Sequence, residues 1–293
     1  MENINLRNKI DLKNYTTIKV GGITEFFYEP NQISEFIYLI NWAKSKSYSY
    51  RIIGAGSNLL IKNIFLKGLT ICTKRMKNIT INPKTGYVYA ECGVMLPTLA
   101  NFLAKNSCKG GEWTVGIPGT VGGALFMNAG CGNYDISKHL NSVLVMNTKN
   151  EKIYEITKKE LSFKYRFSSF QEKNLIILSA KFYFEPEGDI KSIIETTKAN
   201  LKTRLASQPY HLPSFGSVFK NPYNNYAGQL IEETGLKGLK YGGAEISSMH
   251  ANFIVNTSSA TSDDILKLIT LVQQKVMQKK GIMLHPEVRM IGF

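Results

Sequence analysis

No stretch of the 293 residues approaches the roughly 20 consecutive apolar residues that a helix needs to cross a bilayer, so no membrane span is expected. The opening stretch from Met1 to Tyr15 is polar throughout and lacks the apolar core of a signal peptide, which leads to an expected cytoplasmic location. Cysteine is sparse: Cys72, Cys92, Cys108 and Cys131 are scattered, with no C-x-x-C pair and no histidine at ligand spacing. That pattern reads as free thiols and gives neither a disulfide frame nor a metal site. His139, His211, His250 and His285 are equally dispersed. Acidic residues are outnumbered, leaving a formal net charge of +14. Such a balance fits a nucleic-acid partner or an anionic substrate. It also fits a chain simply crowded with lysine, asparagine and isoleucine. Because no basic block and no aromatic–basic RNA motif stands out, the second reading is preferred, with an anionic small molecule contributing, and no nucleic-acid partner is expected.

Glycine, by contrast, is concentrated. From Gly116 to Gly132 the chain reads GIPGTVGGALFMNAGCG, six glycines among small and apolar residues. A run so poor in side chains costs backbone entropy and packs weakly. Its use is close approach, where bare N–H groups face a phosphate or a ring with no Cβ in the way. A shorter stretch, Gly54-Ala55-Gly56-Ser57-Asn58, lies between the apolar runs Arg51–Ile53 and Leu59–Ile61. Two such loops suggest a dinucleotide cradled from both sides, although a structural turn remains an alternative. Neither is a P-loop, and the third glycine of G-x-G-x-x-G is missing after Gly56.

The chain divides into three sections. Residues 1–75 alternate strand and helix signals, with Ile33, Phe36, Ile37, Ile40 and Ala43 forming a helical stripe. Residues 76–187 open with strand patterns at 78–82 and 86–92. Pro97 then starts a helix carrying Leu99, Ala100 and Leu103, and strands follow the glycine run at 142–146 and 175–184. Glu185-Pro186-Glu187-Gly188-Asp189 makes a break. Residues 188–293 then read as a separate α+β unit. It holds a long helix with Ile190, Ile193, Ile194, Leu201 and Leu205, and a later one capped by Ser262, carrying Ile265, Leu268, Ile269, Val272 and Val276, and ended by Gly281.

Several motifs resemble, in order, those of UDP-N-acetylenolpyruvoylglucosamine reductases. They are Gly54–Asn58, Gly116-Ile117-Pro118-Gly119-Thr120-Val121-Gly122-Gly123-Ala124, Met127-Asn128-Ala129-Gly130, Tyr165-Arg166-Phe167-Ser168, Gly216-Ser217-Val218-Phe219-Lys220-Asn221-Pro222 and His285-Pro286-Glu287-Val288. Gly242-Gly243-Ala244 with His250-Ala251-Asn252-Phe253 adds a further match, and the likeness runs from about Thr17 to Glu287. It implies an α+β chain: an FAD-binding domain of the vanillyl-alcohol-oxidase (PCMH) type, made of two α+β subdomains, followed by an α+β substrate domain. It also implies reduction of the enolpyruvyl ether of UDP-N-acetylglucosamine to UDP-N-acetylmuramate with NADPH. Gly54, Ala55, Gly56, Ser57, Asn58, Gly116, Ile117, Gly119, Thr120, Gly122, Gly123, Ala129 and Gly130 would lie along FAD. No histidine stands in either loop, so noncovalent FAD is expected. The stretch between Arg166 and Ser217 is too short for the extra tyrosine-bearing loop of one family branch, which places the chain with the shorter branch. Separately, a monomer is expected. Phe215 departs from the small residue common in the family and alters the expected pocket wall.

The implied chemistry delivers hydride to C3 of the enolpyruvyl group, so negative charge develops at C2 and spreads into the carboxylate. A fixed cation must await that charge, and an acid must protonate C2. On the resemblance, Arg166 supplies the cation as a planar fork, Glu287 pairs with it, and Ser217 is the proton donor. Without the resemblance, Glu287 reads as a surface carboxylate beside Arg289 and Ser217 as a turn residue. Tyr165, Lys220, Asn221 and Lys237 would contact the substrate, Lys220 otherwise being a solvated lysine. A different flavoenzyme on the same domain, or a basic nucleic-acid-binding protein, are the competing readings.

Overall fold

The structure, a computed structural model, describes residues 5–293, so the first four residues of the polar amino-terminal stretch lie outside it. Three sheets follow one another along the chain. In the first, strands 23–28, 65–72 and 50–53 run parallel, and strand 7–11 closes the edge antiparallel. Parallel neighbours need a crossover connection, and α1 (Ile33–Ser45) lies in one. Its apolar stripe faces inward: Phe36, Leu39, Ile40 and Ala43 are buried, and Ile33 and Ile37 pack beside them. The loop Gly54–Asn58 leaves the carboxyl end of strand 50–53, the end where parallel sheets present ligand loops.

The second sheet is antiparallel, in the order 153–157, 140–147, 175–183, 87–91, 79–82. Pro97 sits in the first turn of α2 (Leu96–Lys105), where its missing N–H is no loss. The glycine run starts at the end of a 3-10 turn at 112–116 and leads into the short α3 (Val121–Met127), capped by the Thr120 hydroxyl. Phe36 and Leu39 of α1 share one core with Val88, Val143 and Phe182, so the first two sheets are fused by packing. α4 (Ile190–Ser207) follows the break at 185–189 but lies on α2 and the 112–116 turn. Only Ile193 and Thr197 of this helix are buried. The expected apolar stripe is therefore not an inward face at its ends, where Ile190 and Leu205 are exposed. A helix lying flat on two small neighbours needs only a narrow apolar seam.

The third sheet is antiparallel, ordered 214–217, 253–256, 244–246, 240–241. It carries α5 (Ala227–Glu233) and α6 (Ser262–Lys280). Its core of Phe215, Val218, Phe219, Ile265, Leu268 and Val276 reaches back to Ile18, Val20 and Leu60. The final strand 289–291 then pairs in parallel with 59–61, stitching the end of the chain to the first glycine loop. One expectation is corrected here: the cap of α6 is Thr261, whose hydroxyl accepts from the Asp264 N–H at 3.1 Å while Asp264 answers to the Thr261 N–H at 2.9 Å. Ser262 is otherwise engaged, since its N–H and hydroxyl meet the Asn63 side-chain oxygen and N–H. Gly281 ends the helix in the left-handed region, as expected. Thr261→Ala removes half of this capping box and is expected to cost about 1 kcal/mol. Calorimetry should then record a melting temperature lower by about 2 °C.

Candidate active site

The two glycine loops face each other across a cleft of about 850 Å³. They touch: a Cβ on Gly54 would stand 2.4 Å from the Thr120 hydroxyl oxygen. Gly56 has φ +67° and presses on the Tyr15 carbonyl, where a Cβ would come within 2.0 Å, so only glycine closes this turn. Gly119 and Gly123, in contrast, border open cleft, with no protein atom closer than 3.5 Å to a built Cβ. Side chains there would fill the space between the loops. The cleft is lined by Gly54, Ala55, Gly56, Ser57 and Asn58 from one side. Ile117, Gly119, Thr120, Gly122, Gly123, Ala129 and Gly130 line the other. A long, small-walled slot of this volume suits a dinucleotide. Gly116 is not in the lining; it lies behind the wall, against Arg204.

Arg166, Ser217 and Glu287 all border the cleft. Arg166 sits in the two-residue turn of a hairpin made by 163–164 and 167–168, at φ +52°. That left-handed conformation costs an arginine on the order of 1 kcal/mol, so the surroundings must hold it. They do so from the end of α3. The Phe126 carbonyl accepts from Ser168 Oγ at 2.7 Å and Gln171 Nε2 at 2.9 Å. Asn128, itself left-handed at the helix terminus, donates from Nδ2 to the Lys164 carbonyl at 2.9 Å. From this turn the guanidinium donates through Nε to Glu287 Oε1 at 2.7 Å and through Nη2 to the Gly130 carbonyl at 3.2 Å.

Glu287 is delivered by the returning end of the chain. Its N–H donates to the Val218 carbonyl at 2.7 Å, and its carbonyl accepts from Asn58 Nδ2 at 3.2 Å. Its partner is therefore Arg166; Arg289, the alternative, lies over the Phe126 ring instead, 5.6 Å from its centroid. The carboxyl is only 14% exposed. Burial raises its pKa above the usual carboxylate value, and Arg166 and then Lys220 pull it part of the way back.

Ser217 ends strand 214–217, whose register slips between Ser214 and Ser217. Gly216 makes that slip at φ +77°, with nothing within 4 Å of a built Cβ, so backbone conformation and not space demands glycine. Such bulges re-aim the next side chain. Asn252 fixes the next two residues, Val218 and Phe219. Its side chain bonds both the N–H and the carbonyl of Phe219, and its own carbonyl accepts from the Val218 N–H. Phe215 is buried in the core of the third sheet and borders the cleft.

The remaining expected contacts lie outside the cleft lining. The Tyr165 hydroxyl accepts from the Asn221 N–H at 3.2 Å, and the Tyr165 ring stacks on Arg166. The Asn221 side chain accepts from the Ala227 N–H at 3.0 Å, at the start of α5. Lys220 is near enough to Glu287 to act on its charge. Lys237 pairs with Glu232 at 2.8 Å and joins none of the three central residues. Arg204 and the segment from Gln208 to Ser214 also line the wall, with no counterpart in the sequence motifs. Pro209 and Pro213 at its ends are the one local sign of a fixed, extended path.

A family profile for the C-terminal domain of UDP-N-acetylenolpyruvoylglucosamine reductase matches residues 208–291, and an FAD binding domain profile matches residues 24–157. The UDP-N-acetylenolpyruvoylglucosamine reductase of Prochlorococcus marinus subsp. pastoris is 64% identical over 293 residues, covering 100% of this chain and 99% of its own. A Synechococcus protein of the same name is 45% identical over 98% of this chain and 94% of its own. The crystal structure of UDP-N-acetylenolpyruvylglucosamine reductase from Thermus caldophilus superposes with a TM-score of 0.80 at 30% identity, covering 98% and 99% of the two chains.

Proposed function

The chain belongs to the UDP-N-acetylenolpyruvoylglucosamine reductase family, and from that premise we propose that Arg166, Glu287 and Ser217 carry the substrate half of its reaction. The enzyme reduces the enolpyruvyl ether of UDP-N-acetylglucosamine to UDP-N-acetylmuramate, a step in peptidoglycan precursor synthesis, with FAD as cofactor and NADPH as reductant. Its FAD-binding part has the vanillyl-alcohol-oxidase (PCMH) type of fold, and the slot between the two glycine loops fits the cofactor.

FAD bound in this slot would supply hydride-transfer chemistry between NADPH and C3 of the enolpyruvyl group. The protein's share is electrostatic and acid catalysis. Arg166, fixed before the charge appears, pairs with the substrate carboxylate as negative charge spreads into it. Glu287 shares the same guanidinium, and burial eases its protonation while Arg166 opposes it, so it is the group able to share a proton beside the developing charge. Ser217, whose neighbour Val218 accepts from the Glu287 N–H, gives its proton to C2. Tyr165, Lys220 and Asn221 bind the substrate beyond this point, and Lys237 joins them only by leaving Glu232. The observation that supports this reading best is the largely buried Arg166–Glu287 pair at 2.7 Å in the wall of the cofactor cleft.

As part of the same proposal, FAD is held noncovalently, since neither glycine loop contains histidine. The enzyme works in the cytoplasm as a monomer, without nucleic acid. In support, one chain supplies the whole trio, and no helix of the described residues is long and apolar enough to cross a membrane. The three sections 1–75, 76–187 and 188–293 act as two cofactor subdomains and a substrate domain. The packing of α4 attaches that helix to the cofactor side, so substrate contacts are sought from Gln208 onward.

The test is the visible spectrum of purified protein, before and after anaerobic NADPH, followed by the enolpyruvyl substrate. A flavin spectrum that bleaches with NADPH and returns with substrate is the expected result. A colourless protein that takes up no FAD would overturn the reading.

A further inference from the structure

Arg204 stands in the last turn of α4 and borders the cleft. Its Nε and Nη1 are buried and have no hydrogen-bond partner. No ion pair among the described residues includes it. A guanidinium cannot shed its proton to escape such a place. The side chain as a whole is part-buried, but buried polar atoms left unmatched are rare. An anionic group entering the cleft would match them.

The position is built. The Arg204 stem runs over Gly116 so closely that a Cβ there would stand 2.4 Å from its Cδ. The Tyr210 hydroxyl donates to the Gly116 carbonyl and pins the same turn. Burial raises the Tyr210 pKa, and the charge of Arg204 pulls it back, which places the guanidinium beside that ring. Arg204 therefore belongs to the cleft wall beside the start of the glycine run. Gly116 leaves room for the Arg204 stem.

We propose that Arg204 is the counter-cation of the bound FAD, pairing an anionic group of the cofactor that occupies this cleft. The proposal rests on the reading of the cleft as an FAD site. FAD offers two such groups: the diphosphate, always charged, and the N1–C2=O edge of the ring system, which gains negative charge on reduction.

Arg204→Met keeps the stem and removes the charge, and holoenzyme readouts separate the two groups. If the diphosphate is the partner, flavin released on dilution of the holoenzyme rises at least about tenfold, with the midpoint potential of the bound flavin unchanged. If the ring edge is the partner, FAD is retained and the midpoint potential falls by about 30 mV for each tenfold loss of preference for the reduced form. Arg204→Lys is expected to recover part of either effect. Gly116→Ala, which displaces the guanidinium with its charge intact, is expected to reproduce it. The proposal is overturned if Arg204→Met and Gly116→Ala both leave release and potential at wild-type values. It is also overturned if only the KM for NADPH or the UDP-sugar rises. Wild-type protein without flavin would instead overturn the reading of the cleft itself.

Discussion

Replacing Ser217 by alanine is expected to slow reduction of the enolpyruvyl substrate roughly 100- to 10,000-fold, the range of a lost general acid. Bleaching of the flavin by NADPH should continue at about the wild-type rate. Gly216 and Asn252 fix the backbone on both sides of Ser217, and neither depends on its hydroxyl. Alanine therefore leaves the fold, the cleft and the Arg166–Glu287 pair in place and removes one transferable proton. Stopped-flow absorbance under anaerobic conditions reads the two half-reactions separately. The discriminating isotope result is loss of solvent deuterium delivery to C2 in the variant. Equal slowing of both half-reactions in a folded protein would remove the proton-donor role.

Local patterns were legible where one element answers to its own residues. The stripe of α1, the proline start of α2 and the glycine stop of α6 each depend on a few neighbouring positions. Reading failed where a distant partner decides. Ser262 looks as good a cap as Thr261 until Asn63, from the first section, claims it. Leu205 looks like part of an apolar stripe, but α4 buries only a narrow seam. The Arg166–Glu287 pair joins residues 121 positions apart, so it became visible only through the family's ordered motifs. Arg204 carries no motif at all. On a helix with many exposed positions it reads as one more solvated cation, and its importance emerges from what lies around it in space. Lys237 stands differently, paired locally with Glu232 only five positions off.

Removing the Arg166 side chain is expected to slow substrate reduction roughly 100- to 1,000-fold, as for a lost preorganised donor at a developing anion. Arg166→Lys should fall between the variant and the wild type. It keeps a charge but cannot reach both the Glu287 carboxylate and the Gly130 carbonyl with one planar fork. Loss of the guanidinium also removes the largest influence opposing burial at Glu287, so the pH at which that group ionises moves further up. The most informative variant is Arg166→Gly. Glycine adopts φ +52° freely, so it releases backbone strain at the turn while deleting the cation. If the arginine were there for the fold, this change would lower the melting temperature sharply. If it is there for the charge, the melting temperature holds near the wild-type value, NADPH still bleaches the flavin, and the enolpyruvyl substrate fails to restore the colour. A strained arginine retained where glycine would sit at ease, with its charge set against a largely buried carboxylate, is an arrangement stability alone does not favour. On the proposed role, its return comes when a second carboxylate, the substrate's, enters beside it.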